Sequence, residues 1–171
     1  PVDLILFCVK AYDALSAAEL IKPMLGAETV IVPTLNGIDH IETIGGVVGG
    51  AHVLGGVAHI SGFVAAPGVI QHVGKLHTLI FGEMSGGASA RCDDLQRALA
   101  AGGFNVVAVP NIKEAMWQNF VFISAFAGVA SVVRGTAGIV RGTPETVALV
   151  KQAAAEAIEG GRKAGVQLEA S

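Results

Sequence analysis

Cysteine is nearly absent from this chain of 171 residues: Cys8 lies in a strand-like run and Cys92 near a helix start. Two unclustered cysteines suggest reduced thiols in a cytosolic protein rather than a disulfide framework. Charge is scarce too, at 15% of residues against 52% hydrophobic, with a net charge of -3. The 11 lysines and arginines are scattered, so there is no basic field and nucleic acid is not expected as a partner. No apolar run reaches the ~18 residues that a bilayer span needs. The longest, residues 120–133, reads as a buried helix, and no membrane partner is expected. No signal peptide is expected. Pro1-Val2-Asp3 leads straight into a strand, and a long helix stops at Gly165, so both ends are expected to be cut rather than finished. The G-x-G-x-x-G turn of dinucleotide sites is also missing. The glycine-rich run at residues 45–50 follows a helix rather than a strand, and reads as a helix exit.

What is present has a repeating form. Asp3-Leu4-Ile5-Leu6-Phe7-Cys8-Val9 runs into Lys10, and Thr29-Val30-Ile31-Val32-Pro33 runs into Thr34-Leu35-Asn36-Gly37. Residues 12–25 between them have helical spacing. Near-continuous apolar strands joined through a helix predict a parallel sheet covered on both faces. Ligands of such sheets bind outside the carboxyl ends of the strands, so Lys10 and Asn36 are expected to open into one crevice. A lysine suits phosphate and an asparagine suits an amide or carbonyl. The pattern therefore points to a nucleotide-cofactor crevice.

Asp39 is placed to cap a helix through Ile44. Three strands are expected next, at residues 53–61, 68–72 and 76–81, separated by Ala66-Pro67-Gly68 and Gly74-Lys75 as hairpin turns. His72 and His77 flank the second turn and are placed to face each other. Neither a carboxylate nor a cysteine completes a metal set, so no metal site is expected. His59, beside Ser61, reads as a half-buried sheet histidine or as a ligand contact. Residues 90–101 form an amphipathic helix with Leu95 and Leu99 inward, and residues 105–109 a further strand stopped by Pro110.

The character changes there. Asn111 and Glu114 make a cap pair for a helix apolar on every side, with Trp117, Phe120, Phe122, Ile123, Phe126 and Val129. Such a helix is expected at the centre of a bundle, with Gln118, Asn119 and Ser124 in need of partners. Thr143 caps and Pro144 starts a last helix. A domain boundary is placed at Pro110. The fold class is α/β: an incomplete doubly wound, Rossmann-like sheet followed by an α-helical C-terminal domain.

The strand ending Val9-Lys10-Ala11, the strand ending Leu35-Asn36-Gly37, the Gly55-Gly56-Val57-Ala58-His59 strand and the Trp117 helix after Pro110 together resemble the ketopantoate reductases (2-dehydropantoate 2-reductases). The resemblance covers nearly the whole chain. It implies that residues 1–110 are the second half of a dinucleotide-binding domain and residues 111–171 the start of an all-helical substrate or dimerisation domain. It further implies a cytoplasmic, NADPH-dependent oxidoreductase of pantothenate biosynthesis that reduces a 2-keto acid to a 2-hydroxy acid, and it leaves room for a homo-oligomer. By the same resemblance Lys10, Asn36 and Ser61 contact the cofactor, Asn36 and Asn119 the substrate, and Asn119 stands at the catalytic position. The family's acid there is a lysine two residues after the tryptophan, and an amide cannot deliver a proton. Ile123 replaces the substrate asparagine one turn later. The family's glycine turn and its later serine and glutamate contacts have no counterpart. The alternative is a non-catalytic binding or oligomerisation module derived from the family.

Overall fold

The computed structural model describes residues 1–169. They form two compact units, one of Pro1–Leu35 with Asp39–Ile112, the other of Asn36–Ile38 with the chain from Lys113 onward.

In the larger unit, β1 (Leu4–Phe7) and β2 (Val30–Pro33) pair in parallel, with Leu4 opposite Val30 and Phe7 opposite Pro33. The connection is α1 (Ala14–Ile21), flanked by single 3-10 turns at Ala11–Asp13 and Lys22–Met24. Ala14 and Ala18, one turn apart, are the buried residues of α1. Both faces of β2 are covered: Ile31 packs with Ile5, Phe7, Ala18, Ile44 and Val53 on one side. Val30 and Val32 pack with Leu54, Phe81 and Cys92 on the other. That double burial is why the strand reads as an unbroken apolar run. Among the described residues β1 has β2 as its one neighbour, and Leu6 on it is exposed, so an open strand edge remains.

α2 (His40–Val48) runs four residues past the expected stop, through Gly45 and Gly46, and ends at Gly49 with φ 93°. Ile44 and Val48 are both buried. Their one-turn spacing outweighs the roughly 1 kcal/mol that each glycine costs a helix. The Asp39 side chain makes no cap hydrogen bond.

The three expected strands are two: β3 (Gly55–Ala66) and β4 (Val69–Gly82), antiparallel and joined at Pro67-Gly68, where Gly68 has φ 76°. Gly74-Lys75 is not a hairpin turn. Between the pairs Ile60–His77 and Gly62–His72 the chain advances two residues on β3 and five on β4, so Gly74, at φ 79°, belongs to a bulge within β4. Beyond it the two strands extend as an arm exposed on both faces, where Ile70 is 72% accessible. β5 (Asn105–Ala108) adds in parallel to β4. α3 (Ala90–Ala101) lies where expected, with Leu95 and Leu99 against the core.

Glycine is required where β3 approaches β2. Leu54 N–H donates to Ile31 O at 2.9 Å, and a Cβ on Gly56 would stand 2.1 Å from Pro33 O.

The helical unit holds most of α4 (Ile112–Val133), all of α5 (Ala137–Gly142) and α6 (Pro144–Lys163). α5 is six residues long, too short to give a periodic signal. Thr143 supplies no side-chain cap to α6. Thr146 is the buried hydroxyl instead, donating to Val140 O at 2.7 Å and Thr143 O at 2.8 Å.

The expectation that α4 is buried all round is overturned. Its buried residues are Ile112, Met116, Ala125 and Val129, while Phe122 is 56% and Val132 76% accessible. The helices described here cover one stripe of it. At 22 residues α4 is long and apolar enough to cross a bilayer by length and composition, a test that core helices also meet.

Candidate functional site

Lys10 and Asn36 each stand three residues beyond the paired strand ends Phe7 and Pro33. Lys10 is exposed and precedes the Ala11–Asp13 turn, with its carbonyl accepting from Asp13 N–H at 2.9 Å. Asn36 is exposed as well, and Gly37 after it takes φ 101°. A residue with a Cβ is strained at that angle, so glycine permits the sharp exit of the chain.

Asn119 is placed by the residues around it on α4. Met116 is buried, and Trp117 lies against Gly161 of α6, where a Cβ would come within 2.9 Å of the indole. Trp117 and Phe120 meet edge to face at 5.5 Å. Two residues on, at ~100° per residue, a side chain points to roughly the opposite side of the helix. Asn119 therefore faces away from the tryptophan clamp, half-buried, and its Nδ2 donates to Asn36 Oδ1 at 3.2 Å. These two amides, 83 residues apart in sequence, are candidate site residues that the fold brings into contact.

The other polar groups of α4 have different roles. Gln118 Nε2 donates to Glu114 Oε1 at 3.1 Å, and both line a cavity of about 880 Å³ with Arg162, Val166 and Leu168. Asn119 does not line that cavity. Ser124 and Ser131 donate to carbonyls of their own helix. Ile123 is half-buried and its side chain offers no polar atom.

Ser61 is exposed on the β3–β4 arm, opposite the bulge in β4. The bulge brings His72 and His77 together, rings edge to face at 6.2 Å. Each ring nitrogen engaged there meets a backbone carbonyl, His72 Nε2 that of Leu76 and His77 Nδ1 that of Lys75, both at 2.8 Å. Among the described residues no three histidines, cysteines or carboxylates converge to hold a metal.

Two polar features escape the sequence reading. Glu83, at the end of β4, accepts from Arg91 Nε at 2.6 Å, Arg91 Nη2 at 2.5 Å and Ser89 Oγ at 2.6 Å. Arg91 Nη1 also donates to Ala51 O at 2.6 Å. The guanidinium bonds hold the Glu83 carboxyl below its usual range, and the carboxylate raises Arg91 in return. Burial pushes the neighbouring Cys92 thiol up, which makes it unreactive. This cluster ties α3 to the sheet. The second feature is His40, 4% exposed, with neither ring nitrogen hydrogen-bonded. Burial lowers its pKa against the opposing charge of Asp39.

Parallel strands with polar residues just beyond their carboxyl ends are the form of a Rossmann-like α/β sheet. The comparisons agree. Residues 1–86 match the family described as Ketopantoate reductase PanE/ApbA, and residues 111–171 match its C-terminal family. The chain belongs to the ketopantoate reductase family. It is 31% identical over 130 residues to the uncharacterized oxidoreductase YkpB of Bacillus subtilis, covering 76% of this chain and 43% of that protein. It is 29% identical over 136 residues to the 2-dehydropantoate 2-reductase of Halobacterium salinarum, covering 78% and 44%. The crystal structure of 2-dehydropantoate 2-reductase from Methylococcus capsulatus superposes with a TM-score of 0.83 at 27% identity, over 98% of this chain and 53% of that one. The chain thus spans about half the length of these relatives.

Proposed function

We propose that this chain is part of an NADPH-dependent reductase of a 2-keto acid, with 2-dehydropantoate reduced to pantoate as the family's reaction. The observation that carries the reading is the Asn36–Asn119 amide pair, since it joins the strand-end loop to the tryptophan helix. Family membership and two relatives named 2-dehydropantoate 2-reductase support it.

The donors present fit the nicotinamide and ribose-phosphate end of such a cofactor. Lys10 offers an exposed ammonium and Asn36 an exposed amide, both beyond parallel strand ends, and Ser61 adds a hydroxyl. These 171 residues contain no G-x-G-x-x-G turn to grip a pyrophosphate. When bound, the nicotinamide would supply a hydride to the carbonyl carbon. Asn36 would orient substrate and cofactor, and residues 1–110 would serve as the cofactor half and residues 111–171 as the substrate half, in a cytoplasmic enzyme of pantothenate biosynthesis. Asn119 would polarise the carbonyl oxygen by hydrogen bonding but has no proton to give. Loss of a positioned acid lowers the rate ~10²–10⁴-fold.

That same residue favours a second reading, a binding module that has given up reduction. The full-length protein with Asn119 and its Asn119→Lys variant separate the two. Turnover of 2-dehydropantoate with NADPH should rise at least ~100-fold in the variant. Equal turnover in both would mean that the proton comes from elsewhere. Binding of NADPH and 2-dehydropantoate without reduction by either protein would favour the module.

A further inference from the structure

The bulge in β4 sets two imidazoles side by side, and the backbone carbonyls beside them fix which nitrogen of each ring carries the proton. The geometry points to a two-histidine site for a divalent transition-metal ion such as Ni²⁺, Cu²⁺ or Zn²⁺, held by His72 Nδ1 and His77 Nε2 with water completing the coordination. The site lies on the β3–β4 arm and does not depend on the keto-acid reading.

The strand register puts both rings on one face. His77 stands opposite Ile60, and His72 opposite Gly62. Ile60 and Gly62 are two residues apart on β3 and so face the same way, and directly opposed residues share a face. Gly62 brings no side chain against His72. The two ring centroids lie 6.2 Å apart.

The tautomers follow from the hydrogen-bond partners. A carbonyl oxygen can only accept, so His72 Nε2 donates to Leu76 O and His77 Nδ1 donates to Lys75 O, each at 2.8 Å. A neutral ring held in this way keeps its lone pair on the other nitrogen, Nδ1 of His72 and Nε2 of His77. Both residues are exposed. A ring N–H given to a backbone carbonyl is the arrangement that orients metal-binding histidines and raises their basicity. An ion about 2.0–2.1 Å from each nitrogen places two imidazole centroids roughly 4.5–6.4 Å apart, as the angle at the ion opens from about 90° to about 180°. The observed separation falls within that span, and a tetrahedral ion would need the exposed rings to close by about 1 Å.

The class of ion follows from the other side chains of the arm. Residues 55–82 contain no aspartate or glutamate, and Lys75 is their one lysine or arginine. Mg²⁺ and Ca²⁺ take oxygen ligands, whereas imidazole suits nickel, copper and zinc. A bound ion would tie residue 72 to residue 77 across the bulge and hold the arm in its register.

The test uses the tag-free, full-length protein carrying Cys8→Ser, because the exposed Cys8 thiol would compete for the same ions. This parent is compared with His72→Gln and His77→Gln made in it. Isothermal titration with Ni²⁺ reads affinity, and electron paramagnetic resonance of bound Cu²⁺ counts its nitrogen ligands. Losing either ring turns chelation into single-ligand binding, so each variant should bind Ni²⁺ about 100-fold more weakly. Saturating Ni²⁺ should raise the melting temperature of the parent and of neither variant, and Mg²⁺ should raise none of them. Copper on the parent should show two imidazole nitrogens, and on either variant it should not. Variants that bind Ni²⁺ within about threefold of the parent, or parent-bound Cu²⁺ with fewer than two nitrogens, would overturn the site. Melting without metal shows whether the variants fold, and where one does not, the copper spectrum of the parent decides.

Discussion

Replacing Gly56 by alanine tests the close approach of β3 to β2, and the structure sets the size of the effect. The added Cβ would lie 2.1 Å from Pro33 O, 3.1 Å from Val32 Cγ1 and 3.2 Å from Pro33 C. An ordinary carbon–oxygen contact is over 3 Å, so the two strands must part by about 1 Å in a close-packed interior. The obstacle is backbone, which cannot turn aside as a flexible side chain would. The end of β2 is held in turn, because Thr34 N–H donates to Phe7 O at 3.0 Å. Gly56 does not have a positive φ, so alanine adds no backbone strain and the contact is isolated. Overpacking of this kind costs roughly 3 kcal/mol, less the ~0.4–1 kcal/mol that alanine gains by restricting the unfolded chain. With an m-value of about 2 kcal/mol/M, the urea midpoint should fall by about 1 M. The chain's one tryptophan lies on α4, so its fluorescence and far-UV circular dichroism should be followed together. An unchanged midpoint would show that the Gly56 Cα does not press on the Pro33 carbonyl.

Two further outcomes concern pH. The folded value of His40 lies below the unfolded one of about 6.5, so the neutral ring's contribution is complete above that pH and is lost as pH falls through the folded value. The wild type should lose stability between pH 7.5 and 5, and His40→Leu should flatten that slope in urea titrations; a slope retained in the variant would assign it to another group. The Glu83 carboxylate contributes above its unfolded value, and the contribution is lost as pH drops through its lowered folded value. Arg91→Ala should cost about 1–2 kcal/mol at neutral pH, discounted because the guanidinium is partly exposed, and should move acid unfolding to higher pH. A variant as acid-resistant as the wild type would mean that the cluster holds little energy.

Much of the sheet was legible because burial on both faces of β2 leaves an unbroken apolar run and the α1 alanines mark a close helix. The ends of β1 and β2 were legible with it, Lys10 and Asn36 following three residues beyond each. The length of α2 was not legible, since Gly45 and Gly46 argue locally for a stop while Ile44 and Val48 argue from the core. The Gly74-Lys75 step was misread for a similar reason: a glycine at φ 79° serves a bulge as well as a turn, and the choice between them lies in the pairing of another strand. The apolar surface of α4 shows which residues can be buried but not how many helices cover them. The Asn36–Asn119 bond depends on a separation of 83 residues, which no local pattern encodes. His40 gave no signal either, because an orphan ring is a property of its surroundings.

The bulge in β4 also governs which sequence changes the arm can absorb. His72 and His77 are five positions apart, an odd number, and would point to opposite sides of a regular strand. They meet because β4 advances five residues while β3 advances two. The side-chain parity of the arm beyond the bulge is therefore stored in the length of one short segment, residues 73–76. Loss or gain of a single residue there would exchange the two exposed faces for one strand of the arm relative to the other. Changes of two residues would keep the alternation. Length variation in this segment should therefore proceed in pairs, while the Pro67-Gly68 tip is free of that restriction.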